Sequence, residues 1–223
     1  MRAAEQLAAS LRGTIANERV LAAIARVPRE LFVPPAERER AYANVALPIA
    51  RGQTISQPLV VARMLELLAP QDDELALDIG TGSGYHAALL ALLAAHVYSV
   101  ERIGELARQA QRTLARLGIE NVTVLVGDGL RGLPERAPFD VINVAAAAPE
   151  IPAALERQLA PGGRLVIPIG SGSRQRLVRV IRTASGYLRE QLEPVRFVPL
   201  LPGTVKEGEG EAAENGGGQA RER

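Results

Sequence analysis

The chain has 223 residues, 26 basic and 25 acidic side chains, no cysteine and a hydrophobic content of 47%. That length suits one domain with a short extension, and the apolar fraction is that of a globular chain. Without cysteine there is no disulfide framework, thiolate metal site or cysteine nucleophile, and a formal charge of +1 gives little drive toward nucleic-acid phosphates.

Near the N-terminus Leu7, Leu11, Ile15, Val20, Ile24 and Val27 recur at helical spacing. Pro28, Pro34, Pro35 and Pro48 then break any longer helix. A helix is predicted from Pro58, since a first turn tolerates proline, through Val60, Met64, Leu67 and Leu68 to a stop before Pro70. From there strands and helices alternate. Residues 75–79 read as a buried strand, 85–95 as a helix and 97–100 as a second strand ending at Glu101. A helix over 103–117 is stopped by Gly118. Strands follow at 122–126 and 139–144, a short helix at 152–159 and a fifth strand at 164–167. Nearly all-apolar strands between helices indicate a parallel sheet covered on both faces.

Residues 177–182 and 187–192 flank Ala184, Ser185 and Gly186, which predicts a hairpin, and 197–200 reads as a last edge strand. Residues 206–223 hold five Glu and five Gly with almost nothing apolar, the composition of a disordered tail. The longest apolar tract, 87–95, is far short of the ~20 residues a bilayer requires. The N-terminus lacks the apolar stretch of a signal peptide. The expectation is a cytoplasmic, monomeric protein with neither a membrane nor a nucleic acid as partner.

The first strand of the alternating part runs into Asp78-Ile-Gly80-Thr81-Gly82-Ser83-Gly84. Glycines there permit tight turns and close approach of a ligand to the backbone. The loop follows a strand's carboxyl end, where open α/β sheets bind ligands. Dinucleotide folds use G-x-G-x-x-G to seat a pyrophosphate on a helix N-terminus. Here the spacing is G-x-G-x-G, and Asp78 suits a cationic amine better than a phosphate. Glu101 stands where a carboxylate accepts from ribose hydroxyls. Asp128, before Gly129, is placed to accept from an adenine amino group. Arg102 either flanks this site or is solvated. An amine, a ribose and an adenine without phosphate describe S-adenosylmethionine. The plain alternative is a turn with solvated loop acids. Likewise Thr54 or Ser56, just before Pro58, could simply cap the helix.

Several segments together resemble the protein-L-isoaspartate O-methyltransferases. They are Gly52-Gln-Thr-Ile-Ser-Gln-Pro58, Asp78-Ile-Gly-Thr-Gly-Ser-Gly-Tyr85, Gly127-Asp-Gly129 and Ala137-Pro-Phe-Asp140, with Pro28-Arg-Glu-Leu-Phe-Val-Pro34, Ala46-Leu-Pro-Ile49, Pro149-Glu-Ile-Pro152, Gly162-Gly-Arg-Leu-Val-Ile-Pro168 and Phe197-Val-Pro-Leu200. The resemblance spans about residues 20–200. It implies a Rossmann-like α/β methyltransferase fold: a mostly parallel doubly wound sheet with a helical N-terminal subdomain and a C-terminal hairpin. One domain over 1–205 is expected, with the substrate loop in 1–57 and the core in 58–205.

The implied cofactor is S-adenosyl-L-methionine, held by Asp78, Gly80, Thr81, Gly82, Ser83, Gly84, Glu101, Arg102, Asp128 and Gly129. The implied substrates are isoaspartyl-containing proteins and peptides. Ser56 is the family's catalytic serine, and Thr54, Ile55, Gln57 and Val198 border the peptide. A carboxyl of pKa ~4 is already ionised at pH 7, so the reaction needs no general base. That agrees with a chain holding only His86 and His96, and no metal is expected. Asn44, Asn143 and Ala145 depart from the pattern associated with the family. The rival readings are a carboxyl methyltransferase acting on another peptide aspartate, a non-catalytic S-adenosylmethionine-binding module, and nucleic-acid methylation. Against the last, no Asn/Asp-Pro-Pro-aromatic motif follows the 139–144 strand.

Overall fold

The computed structural model describes residues 2–205; the tail at 206–223 lies outside them. The helical spacing at the N-terminus resolves into two helices, α1 (Ala3–Leu11) and α2 (Glu18–Arg26). The Asn17 side chain starts α2 by accepting from the Arg19 and Val20 amides. The prolines confine the next stretch to two short 3-10 segments, Arg29–Phe32 and Pro35–Arg40. Two-residue strands β1 (Leu47–Pro48) and β2 (Thr54–Ile55) pair antiparallel. Their turn carries Arg51 and Gly52 at positive φ, and an Arg51–Glu105 ion pair of 2.6 Å anchors it. Helix α3 spans Pro58–Leu68, as the sequence predicts.

The remaining elements are β3 (Leu75–Ile79), α4 (Tyr85–Ala91), β4 (His96–Glu101), α5 (Gly104–Arg116), β5 (Val122–Val126), β6 (Phe139–Val144), α6 (Ala153–Arg157), β7 (Leu159–Ser171), β8 (Arg174–Thr183) and β9 (Gly186–Val195). They form a seven-stranded sheet in the order β5-β4-β3-β6-β7-β8-β9. Strands β5 to β7 are parallel along that order, and β8 and β9 add antiparallel. The strand order reverses between β3 and β6, which opens a crevice at their carboxyl ends.

Side chains alternate between two cores. Ala76, Val97, Val141 and Val166 face the α1–α5 side, while Leu77, Val100, Ile142 and Leu165 face the α6 side. Among the described residues no helix is long and apolar enough to cross a membrane.

Three expectations change. The helix predicted over 85–95 ends at Ala91. Asn121 Nδ2 donates to the carbonyls of Ala91, Ala94 and Ala95, which supports the chain as it turns into β4. The strand predicted over 164–167 runs 13 residues, because β8 pairs with it as far as Ser171↔Arg174. Segment 197–200 is not a strand. The Gln175 side chain takes both the amide and the carbonyl of Phe197, and the segment makes only a one-residue bridge to Ala147.

Candidate active site

The site is built on a polar row inside the sheet. Asp78 of β3 has Ser99 of β4 and Asn143 of β6 as its cross-strand neighbours. All three are fully buried. Ser99 Oγ donates to Asp78 Oδ2 at 2.7 Å, and Asn143 Nδ2 donates to Oδ1 at 2.8 Å. With the Ser99 proton so directed, Thr81 Oγ1 donates to Ser99 Oγ across 2.6 Å. Burial raises the Asp78 pKa, opposed by the donors on Asn143 and Ser99. Asp78 therefore differs from its expected place against a ligand amine. Its carboxylate is spent beneath the loop, holding Thr81 through Ser99.

Gly80, Gly82 and Gly84 all take positive φ, at 86°, 53° and 91°. Glu101 Oε2 accepts from the Gly82 amide at 2.9 Å, and Oε1 accepts from the Ile103 amide at 2.9 Å. Burial raises the Glu101 pKa, with the Gly82, Ile103 and Arg102 amides pulling it back. Gly80, Thr81, Gly82 and Ser83 line a cleft with Glu101, Arg102 and Gly129, against apolar walls of Ile79, Val100, Ile103, Leu200 and Leu201. Gly84 is not among the lining residues. It serves packing instead: a Cβ there would stand 3.0 Å from Ala110 Cβ on α5.

Asp128 also departs from expectation. Its Oδ1 accepts from the Leu130 amide and its Oδ2 from the Gly203 amide, both at 2.9 Å. The Arg102 guanidinium donates to the Pro202 and Gly203 carbonyls at 3.3 Å each. Both side chains thus hold the 198–205 segment across the strand ends. Gly129 admits no side chain, since a Cβ would meet Ile79 Cγ2 at 2.6 Å and Leu200 Cδ1 at 3.2 Å.

A second cavity opens beside the first, lined by Ala46, Gln57, Val60, Arg196 and Phe197 among others. Thr54, Ser56, Ala145 and Val198 line both cavities. Ile55 faces only the first and Gln57 only the second. Of the three departures, Asn143 finds its partner in Asp78. Asn44 Oδ1 accepts from the Leu59 amide at 3.0 Å and so caps α3. Ala145 follows β6 and lies 3.7 Å from where a Gly80 Cβ would stand.

His86 lines the first cavity, and burial lowers its pKa to about 4. His96 Nε2 pairs with Thr123 Oγ1 at 2.9 Å on β4 and β5. No group of three or more His, Cys, Asp or Glu side chains capable of holding a metal occurs among the described residues. Arg29, to which the motif spacing assigns no role, is fully buried next to the Ser56 turn. Its only sequence signal is a basic residue, followed by Glu30, inside the Pro28-to-Pro34 segment.

A strand-order reversal capped by a glycine loop, with the Glu101 carboxylate beside apolar walls in the cleft, defines, together with the solved structures it resembles, a Rossmann-like S-adenosylmethionine-dependent methyltransferase. The family model described as protein-L-isoaspartate(D-aspartate) O-methyltransferase matches residues 3–205. A protein-L-isoaspartate O-methyltransferase of Aeromonas hydrophila is 55% identical over 192 residues, 86% of this chain and 93% of the relative. One from Aeropyrum pernix is 53% identical over 206 residues, 90% of this chain and 78% of its own length. A solved protein-L-isoaspartate O-methyltransferase superposes with a TM-score of 0.79 at 30% identity, covering 87% of this chain and 65% of that longer one. A structure from Plasmodium falciparum assigned to the same enzyme class, in complex with S-adenosyl-L-homocysteine, gives a TM-score of 0.80 at 26% identity, covering 90% of this chain and 99% of that one. The chain belongs to the protein-L-isoaspartate(D-aspartate) O-methyltransferase family.

Proposed function

We propose that the chain methylates the free α-carboxyl of L-isoaspartyl residues in damaged proteins and peptides, using S-adenosyl-L-methionine. The observation that carries this reading is the meeting of two cavities at Thr54, Ser56, Ala145 and Val198. One cavity has an acid and the glycine loop, and the other is bordered by the 194–198 segment.

The cofactor fits the first cavity on its own terms. Gly80 and Gly129 line that cavity, and a Cβ at Gly129 would push on Ile79 and Leu200 of its apolar wall. Glu101 presents a carboxylate to ribose hydroxyls, and Ile79, Ile103 and Leu200 offer apolar surface to an adenine. When bound, S-adenosylmethionine supplies a methyl group on a sulfonium. The chain's own residues do the rest. The Thr81–Ser99–Asp78 chain fixes the loop beneath the cofactor, and Glu101 fixes it from the side through the Gly82 amide.

Ser56 donates its hydroxyl proton to one oxygen of the substrate carboxylate and leaves the other oxygen free to attack. That carboxylate is ionised near neutral pH, because its pKa is ~4, so no residue need remove a proton. Orientation and exclusion of water are then the catalytic contribution, worth up to ~7–11 kcal/mol. The ester carbonyl is a better acyl donor than the carboxylate, and the neighbouring backbone nitrogen attacks it, expels methanol and closes a succinimide without further help. Hydrolysis of that ring returns part of the material to normal aspartate.

The test uses two peptides identical except for aspartate or isoaspartate, with methyl-labelled S-adenosylmethionine. Base-labile label on the isoaspartyl peptide alone is expected. Equal labelling of both, or binding of the cofactor without transfer, overturns the reading. Ser56→Ala should lower kcat about 100-fold, the scale of a lost positioned donor, with cofactor affinity by calorimetry nearly unchanged. A matching fall in cofactor affinity would remove Ser56 from that role.

A further inference from the structure

Arg29 is a buried cation without a carboxylate partner among the described residues. Its side chain is fully buried at the start of the Arg29–Phe32 segment. Nε donates to the Ala41 carbonyl at 2.8 Å, and Nη2 donates to the Ser56 carbonyl at 2.8 Å. The guanidinium lies over the Tyr85 ring, 4.8 Å from its centroid, and Nη1 is buried without a hydrogen-bond partner. Burial lowers its pKa to about 10, with the neighbouring Tyr85 and Tyr42 hydroxyls opposing, so it stays charged at neutral pH. Burying a long cation against neutral carbonyls and one aromatic face is costly, since no opposite charge among the described residues compensates it.

What it imposes falls on Ser56. Strand β2 ends at Ile55 and α3 begins at Pro58, so Ser56 sits between two regular elements. Pro58 lacks an amide, and the Val61 amide bonds to the carbonyl of Gln57, not to that of Ser56. Among the described residues the Ser56 carbonyl is satisfied by Arg29 Nη2. The same guanidinium grips Ala41 and Tyr85, and Tyr85 lines the cofactor cavity.

We infer that Arg29 is the positioning residue of Ser56: its planar fork fixes the 56–57 peptide plane, and through it the direction of the Ser56 hydroxyl. This deepens the proposed carboxyl methylation and rests on that reading. Arg29 lines neither cavity and acts through the backbone. Lysine is a partial substitute, because one ammonium on a flexible stem cannot hold both carbonyls and stack on the ring.

The experiment is a double-mutant cycle on the full chain with an isoaspartyl peptide: wild type, Arg29→Met, Ser56→Ala and the pair. Cofactor affinity and thermal melting are recorded for each protein. Arg29→Met is expected to lower kcat about 10- to 100-fold, as a misplaced catalytic group does. In the Ser56→Ala background the same change should cost less than about threefold, because the hydroxyl it aims is gone. Arg29→Lys should recover part of kcat. Hydrogen exchange of segment 53–57 in Arg29→Met should quicken at least about tenfold while α5 keeps its protection.

Equal losses in both backgrounds, or unaltered exchange at 53–57, overturn the inference even while the wild type methylates isoaspartate. If the wild type leaves isoaspartate unmethylated, the functional reading fails first, and the exchange result still decides whether Arg29 holds the Ser56 turn. Should Arg29→Met fold poorly, Arg29→Lys takes its place in the cycle and in the exchange measurement, with the same two outcomes.

Discussion

His86 lies on α4 and lines the first cavity, yet its Nε2 is buried without a hydrogen-bond partner. Burial lowers its pKa from 6.5 to about 4; a backbone contact with Val61 opposes this and the charge on Arg29 adds to it. In the unfolded chain the ring titrates near ~6.5. Between those two values the unfolded state binds more protons than the folded state, so stability rises with pH across the window. The contribution is complete above ~6.5 and is lost as pH falls toward 4. At ~1.4 kcal/mol per pH unit, the loss at pH 4 approaches about 3 kcal/mol. His86→Leu removes the titration and the unsatisfied nitrogen together. Urea unfolding of both proteins from pH 4 to 8 measures the difference directly. Asp78 and Glu101, whose pKa values burial raises, titrate with the opposite sign in both proteins and cancel in that difference. The gap should be level above pH 7 and should move about 3 kcal/mol in the variant's favour by pH 4. Parallel stability curves over the whole range refute the reasoning.

Three further outcomes follow from named contacts. Gly129→Ala places a Cβ 2.6 Å from Ile79 Cγ2, so the variant should lose about tenfold or more in S-adenosylmethionine affinity by calorimetry and ~1–3 kcal/mol of stability through overpacking. Asn143→Ala deprives Asp78 Oδ1 of its donor inside the sheet, and equilibrium denaturation at pH 7 should show a loss of ~1–3 kcal/mol. Asn44→Ala removes the acceptor of the Leu59 amide, which should cost ~1 kcal/mol and lower Tm by ~2–4 °C in a scanning melt.

What the sequence displayed and what it hid divide along one physical line: local geometry shows in the order of residues, and register does not. The glycine loop needs positive φ at three nearby positions, and three glycines supply it, so β3, the loop and the start of α4 are readable from adjacent residues. Glu101 is equally local to the end of β4.

Asp78 reads from its neighbours as an acid at a strand end, free to face a ligand. Its real partners are Ser99, 21 residues away, and Asn143, 65 residues away, and only the β4-β3-β6 register brings them together. The Asn143 that looks like a flaw in an apolar strand is the donor that lets an acid be buried there.

Asp128 is tied to Gly203 across 75 residues and Arg29 to Ser56 across 27, so each side chain's work is settled by a distant partner that its own neighbours do not reveal. The same holds for β7, predicted only over 164–167, whose extent from Leu159 to Ser171 is set by its pairing with β6 and β8. In this fold the loops that would meet ligands are legible one by one. The buried polar contacts that hold them in place become visible only once the strands are set side by side.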